Sequence, residues 1–305
     1  MSQRPRRGAD PALLREINAV ATLRALHDGE PMTLTKIVDA TGLARKTAEA
    51  AVERLVSDGL AVELPPSPED RSVGRPARSF QFRAEAGYVL GMDIGVHTVS
   101  ALLADLRGTV RARSESGVPR TAGRSQRVAA ALRAAADARS QAGVEPDKVW
   151  ATTAGTPGIV EGSAYVSLCH VIPEWSEFSL ADELADGLPG PVQIENDTNL
   201  SAVAERWCGA ARDVDSMVWV LTGRRSKAGV LIDGRLYRGA DGAAGEIGWL
   251  PELGWPQLSE QTLSYTGAER TEAGEAAATT INRALAGDAG ARRELDTYAA
   301  ALAPG

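Results

Sequence analysis

The sequence predicts an α/β protein in two parts, a small head of three helices and two strands followed by a larger body of strands and helices. Three observations carry this. Helical periodicity with capping signals fills the first sixty residues; from Gly87 it gives way to short apolar strands broken by glycine turns; and charge is unevenly divided. Residues 1–83 hold 13 Lys/Arg against 11 Asp/Glu, and the remainder holds 20 against 29, within a net charge of −7. A slightly basic head on an acidic body suits a nucleic-acid-binding module attached to something else.

At 305 residues with 44% hydrophobic and 24% charged residues, the chain can bury a real core, and two or three units are expected. No apolar run is long enough to span a membrane, and the basic start MSQRPRRGADPALLREI lacks the apolar stretch of a secretory signal. Cys169 and Cys208 form no CxxC pair, so a disulfide framework or zinc site is not expected, and a cytoplasmic location is.

In the head, Asp10 and Pro11 read as N-cap and first helical position, and Leu13, Leu14, Ile17, Val20, Ala21, Leu23 and Leu26 share a broad face over 11–28. A second helix is expected from Thr33 to Thr41, closed by Gly42, and a third from Ala44 to Ser57, capped by Gly59. Two helices joined by a short Gly-containing turn form a helix-turn-helix pattern. LAVEL and SFQFR then read as strands of a wing, joined by PPSPEDRSVGRPAR, and the stretch resembles winged helix-turn-helix proteins of the MarR-like branch. The first turn of the third helix would lie nearest the base edges of the major groove, which selects Arg45, Lys46 and Thr47. Arg71, Arg75 and Arg78 of the wing are the further DNA contacts, with GRPAR slim enough for the minor groove.

In the body, YVLGMDIGVHTVSALLADLRGTVRARSE reads as three strands with turns after Asp93 and at Arg107-Gly108. Three segments follow: ATTAGTPGIVEG (151–162), PVQIENDTNLSAVAERWCGAAR (191–212) and GVLIDGRLYRGADGAAGEIGWL (229–250). These segments, in this order, resemble the sugar kinase/actin/Hsp70 superfamily and, more narrowly, the ROK family of repressors and kinases. The resemblance implies a two-lobed actin-like ATPase fold. It divides the chain into a head (1–84), a first lobe (85–198) and a second lobe (199–305) cut short at its C-terminus. It further implies that Asp93, Gly95 and Thr98 are remnants of a phosphate loop. Gly158, Asn196, Asp197 and Glu246 would meet a sugar, with Asp197 the general base of the kinases. A structural alternative stands beside this: Asp197 caps a helix and Glu246 satisfies backbone donors.

The departures from the family pattern point away from catalysis. The glycine-rich second phosphate loop is LTGRRSKAGV here, and Arg224, Arg225, Ser226 and Lys227 would crowd the backbone. Trp249 stands where the family has histidine, the cysteine-rich zinc segment is PELGWPQLSEQTLSYTGAER, and LDTYAAALAPG ends the chain where an adenosine segment should begin. Trp175, Trp249 and Trp255 are either sugar-stacking or core residues. The expected function is therefore a transcriptional regulator, a repressor of the carbohydrate-sensing kind. It binds double-stranded operator DNA as a homodimer or dimer of dimers and responds to a small effector, a sugar or sugar derivative, without phosphorylating it. It needs no cofactor, no metal and no membrane. The alternative is an active sugar kinase carrying a helix-turn-helix.

Overall fold

The computed structural model describes residues 10–27, 29–65, 78–221, 226–249 and 273–302. The head opens with α1 (Pro11–His27), entered through Asp10, whose carboxylate accepts the Ala12 amide at 2.9 Å. The strand β1 (Met32–Thr33) follows, although Thr33 was expected to open the second helix. Thr33 then caps α2 (Leu34–Thr41) by accepting the Lys36 amide, and Gly42 closes it with φ +68°. Next come α3 (Arg45–Ser57), β2 (Ala61–Leu64) and β3 (Ser79–Phe82), the strands forming an antiparallel sheet in the order β1-β3-β2.

The expected inner face of α1 needs correction. Leu13, Leu14, Ile17 and Val20 are exposed, and the residues buried are Ala19, Thr22 and Leu26. The first turns of α1 project past the small head core formed by Leu26, Ile37, Val52, Leu55 and Phe80, so periodicity alone does not mark what is covered.

The body begins with β4 (Tyr88–Ile94), β5 (Thr98–Asp105) and β6 (Val110–Gly117), an antiparallel meander. Then come α4 (Arg124–Ala142), β7 (Val149–Thr156), the small hairpin β8 (Ile159–Glu161) and β9 (Tyr165–Leu168), and β10 (Phe178–Ser179). After α5 (Leu180–Ala185), β11 (Val192–Asn196) runs into α6 (Asp197–Cys208). The main sheet has the order β11-β7-β4-β5-β6, with β4, β7 and β11 parallel. Its core face carries Leu90, Met92, Ile94, Val99 and Ala154 against the alanine-rich side of α4. Trp175 lies in this core, 1% exposed, donating to the Thr156 hydroxyl at 2.8 Å; it is a packing residue rather than a sugar platform.

A second sheet follows, β12 (Met217–Leu221), β13 (Lys227–Ile232) and β14 (Arg235–Leu236), and helices α7 (Ala273–Leu285) and α8 (Ala289–Leu302) close the described chain. Helix α6 sits between the two sheets. Two glycines let it: a Cβ on Gly155 of β7 would lie 3.0 Å from Leu200 Cδ1, and one on Gly229 of β13 would lie 2.6 Å from Ala202 Cβ and 2.9 Å from the Thr198 carbonyl.

The arginine on α4 nearest the β4–β5 turn is fully buried and, among the described residues, pairs with no carboxylate. Arg127 donates to the carbonyls of Ala122, Gly95, Val96, Pro119 and Arg120, at 2.6 Å to Gly95, and so ties the turn to the start of α4.

Because the backbone of α6 is in direct contact with β13, Gly229→Ala should destabilise the protein by about 1–3 kcal/mol, the usual cost of overpacking. Denaturant unfolding measures this, and adding Ala202→Gly should return part of the loss. A Gly229→Ala protein as stable as wild type would contradict the packing described.

Candidate ligand cleft and nucleic-acid interface

The main sheet presents a polar row on the side opposite its core. Glu195, Gly155, Asp93, Ser100 and Glu115 are paired successively across β11, β7, β4, β5 and β6. The missing side chain at Gly155 leaves room for the first residue of α6, and Asp197 Cα comes within 3.8 Å of where a Cβ would stand. That placement brings Asp197 toward Asp93.

Asp93 responds to its surroundings. Poor hydration in the cleft, the nearby charge of Asp197 and that of Glu115, in that order, push its carboxyl up to about 6. The residue itself remains exposed on the cleft side, so water screens part of these effects.

The cap of α6 falls on Asn196, not Asp197. Asn196 Oδ1 accepts the amides of Thr198 and Asn199, while its Nδ2 donates to the Gly158 carbonyl at 2.8 Å. Gly158 needs φ +115°, and a Cβ there would lie 2.6 Å from the Leu168 carbonyl. Asn196 and Gly158 are thus joined to each other, and Asn196 is a cap before it is anything else. Asp197, freed from capping, keeps Oδ1 on the Thr198 amide and hydroxyl at 2.7 and 3.1 Å. Beneath them Glu195, 6% exposed, accepts from Asn199 and from Arg238 at 2.7 Å, an ion pair that ties β11 to the segment after β14.

Glu246 arrives from the other side. The segment around it lies flat on β13, with Ala228 N donating to Gly245 O at 2.8 Å, and Cβ atoms on Gly245 or Gly248 would overlap the carbonyls of Ala228 or Ser226. Glu246 therefore faces Lys227 rather than backbone donors. The Lys227 ammonium lies 3.5 Å from Glu246 Oε1 and 4.0 Å from Asp197 Oδ1. Sequence reasoning placed Lys227 in an altered loop but not among the site residues; strand alternation from Gly229, which faces α6, is the signal that places it there.

The phosphate-loop remnant is a closed turn. The Gly95 amide donates to the Thr98 carbonyl at 2.9 Å and the Gly95 carbonyl is held by Arg127, so both backbone groups are engaged within the protein. Thr98 is exposed. Arg224, Arg225, Trp255, Arg71 and Arg75 lie outside the described residues, and of Trp249 only the backbone, in a short 3-10 turn, is described. Among the described residues no group of three His, Cys, Asp or Glu side chains is arranged to hold a metal, and no helix is long and apolar enough to cross a membrane.

On the head, Arg45 and Lys46 are exposed at the start of α3, with Thr47 half-buried. Arg78 is placed differently from a free DNA contact. Its guanidinium makes a bidentate pair with Glu63 at 2.8 and 2.9 Å, lies 3.6 and 3.5 Å from Glu49 and Glu53 of α3, and covers the Phe80 ring. Hydrogen bonding to Glu63 holds its pKa above the usual arginine range.

Head and body meet at the β5–β6 turn. The His27 ring and the Leu106 carbonyl are 2.9 Å apart, Arg107 donates to the Gly29 carbonyl and covers the Phe82 ring, and Leu106 packs on the head core. The turn itself is organised by Asp105, 1% exposed. Burial alone would raise its carboxyl, but the amides of Thr109 and Arg107 and the Arg111 guanidinium outweigh that and hold it below the usual carboxylate range.

The family model described as "ROK family" matches residues 89–255, more than half of the chain. The chain belongs to the ROK family. A xylose repressor from Caldicellulosiruptor bescii is 25% identical over 236 residues, covering 77% of this chain and 59% of that protein. The ROK chain described here thus spans about three-fifths of the length of that relative. Among solved structures, a ROK family transcriptional regulator, described as a homolog of the Escherichia coli MLC protein, superposes with a TM-score of 0.66 at 20% identity, covering 95% of this chain and 78% of that one. A ROK family glucokinase from Streptomyces griseus, in complex with glucose and AMPPNP, superposes with a TM-score of 0.57 at 23% identity, covering 70% of this chain and 77% of that one. At these identities the superpositions show the ROK fold.

Removing the Asp93 charge should raise stability at neutral pH. The folded protein binds this proton more tightly than the unfolded chain, so the associated stability is fully present below pH about 4 and is lost as pH rises through about 6. Asp93→Asn and wild type should therefore melt alike near pH 4 and diverge above pH 6, with the variant the more stable. A constant difference at all pH values would rule out the proposed coupling.

Proposed function

We propose that this protein is a sugar-responsive transcriptional regulator, with a winged helix-turn-helix head that binds DNA and a ROK body that binds a small hydroxylated effector without phosphorylating it. The observation that carries this reading is the reach of the likeness. The ROK regulator superposes on 95% of the chain, head included, whereas the glucokinase superposes on 70%. The relative named xylose repressor likewise covers 77% of the chain.

In the head, α2 and α3 supply the helix pair, with α3 as recognition helix, and Arg45, Lys46 and Thr47 meet the major groove. A homodimer would present two such helices to two half-sites. Arg71 and Arg75 serve the wing. Arg78 acts indirectly, neutralising Glu49 and Glu53, which would otherwise bring negative charge toward the phosphates.

In the body, Gly158, Asn196, Asp197 and Glu246 form the effector site, with Asp93, Gly95 and Thr98 a phosphate loop no longer used. Asp93 and Asp197 facing one another favour a second reading, an active sugar kinase. Against it, the Gly95 amide is bonded within its own turn and an ammonium stands beside Asp197. A coupled ADP-release assay with common hexoses tests this directly, and turnover lost in Asp197→Asn would establish the kinase.

Arg45→Ala should weaken binding to a selected operator by about 1–3 kcal/mol and relax preference at one base position. Fluorescence anisotropy on operator variants measures both. Wild-type affinity and selectivity in the variant would remove α3 from the interface.

A further inference from the structure

The Lys227 side chain is 15% exposed, and its ammonium stands 3.5 Å from Glu246 and 4.0 Å from Asp197. The longer distance is beyond hydrogen-bonding reach, and the shorter is at its limit. An ammonium carries three N–H donors, and a group this deep ordinarily spends them on close acceptors. The spacing instead leaves a donor between two acceptors, with gaps on either side. A run of neighbouring hydroxyls fits that order: the outer two donate to carboxylates and the middle one accepts from nitrogen.

Charge narrows the class further. Asp197 and Glu246 flank one ammonium, and Asp93 lies close enough to Asp197 to feel its charge, so a phosphorylated ligand meets excess negative charge at short range. A cationic ligand must displace an ammonium already in place. The site therefore favours an uncharged polyol. Lys227 also occupies a position in the loop where, by family resemblance, glycine would let the backbone approach a phosphate, so one substitution both obstructs phosphoryl transfer and adds a contact to the ligand.

We propose that Lys227 is a specificity-determining residue of the cleft: its ammonium donates to an oxygen of an uncharged polyhydroxylated ligand whose neighbouring hydroxyls are held by Asp197 and Glu246. This rests on the effector-site reading above.

Calorimetry and thermal shift on the full chain test it, with D-xylose, D-glucose and N-acetyl-D-glucosamine as probes, each beside its terminal phosphate ester. At least one uncharged sugar should bind wild type, and its phosphate ester at least tenfold more weakly. Lys227→Met should weaken the sugar at least tenfold, and Lys227→Gln, which keeps an N–H donor and a similar length, should recover part of that. The Gln variant also carries the test if the Met variant does not fold. Equal sugar affinity in wild type and both variants would overturn the role of Lys227 and leave the effector site standing. A phosphate ester binding as tightly as its sugar would do the same. If no sugar binds wild type, the effector-site reading falls, and this inference with it.

Discussion

The cleft depends on a helix pressed against two sheets at once. Side chains at positions 155 and 229 would each keep α6 away from its neighbours, and their absence brings the helix backbone onto β7 and β13. The N-terminus of α6 is the junction where the two sheets' polar residues converge, so Asp197, Asp93, Lys227 and Glu246 become neighbours although they come from four different segments. The Glu195–Arg238 pair fastens the same junction underneath. Loosening the helix by an ångström would separate the cleft's donor from its acceptors while leaving each element locally intact.

Much of this architecture was readable beforehand. Cap and turn residues declare themselves chemically: Asp10 and Gly42 act as their types require, and the DLRG turn falls where expected, whereas Thr33, expected to open the second helix, caps it instead. The segments that place Asn196, Asp197 and Glu246 were legible through their resemblance to the ROK family. Other features depended on three-dimensional accounting that no local pattern contains. Which of Asn196 and Asp197 caps α6 is a matter of where β11 ends. Whether Leu13 and Ile17 are covered depends on how far the head core extends. Arg127 looks like a solvated helix residue until a loop folds its carbonyls around it.

Lys227 shows how one residue can be misread by its neighbours. In a run of Arg, Arg, Ser and Lys, it reads as part of a basic loop. In the fold it is the first residue of a strand, turned inward toward two carboxylates, and chemically it belongs with Asp197 and Glu246. The site's balance of charge follows from this and differs from that of a phosphate-binding cleft: the cation is supplied by the protein's own side chain, at a fixed point.

The attachment of the head at Leu106 and Arg107 has a mechanical side. Strand β5 starts beside the turn that follows Asp93 and ends, roughly 25 Å away, at Asp105. It is hydrogen-bonded along both edges, to β4 and β6, and so behaves as a stiff rod rather than a tether. The head is held at one tip of this rod by the His27 and Arg107 contacts, and the cleft lies at the other. A tilt of a few degrees about the middle of the sheet would swing both tips in opposite senses by about the same distance.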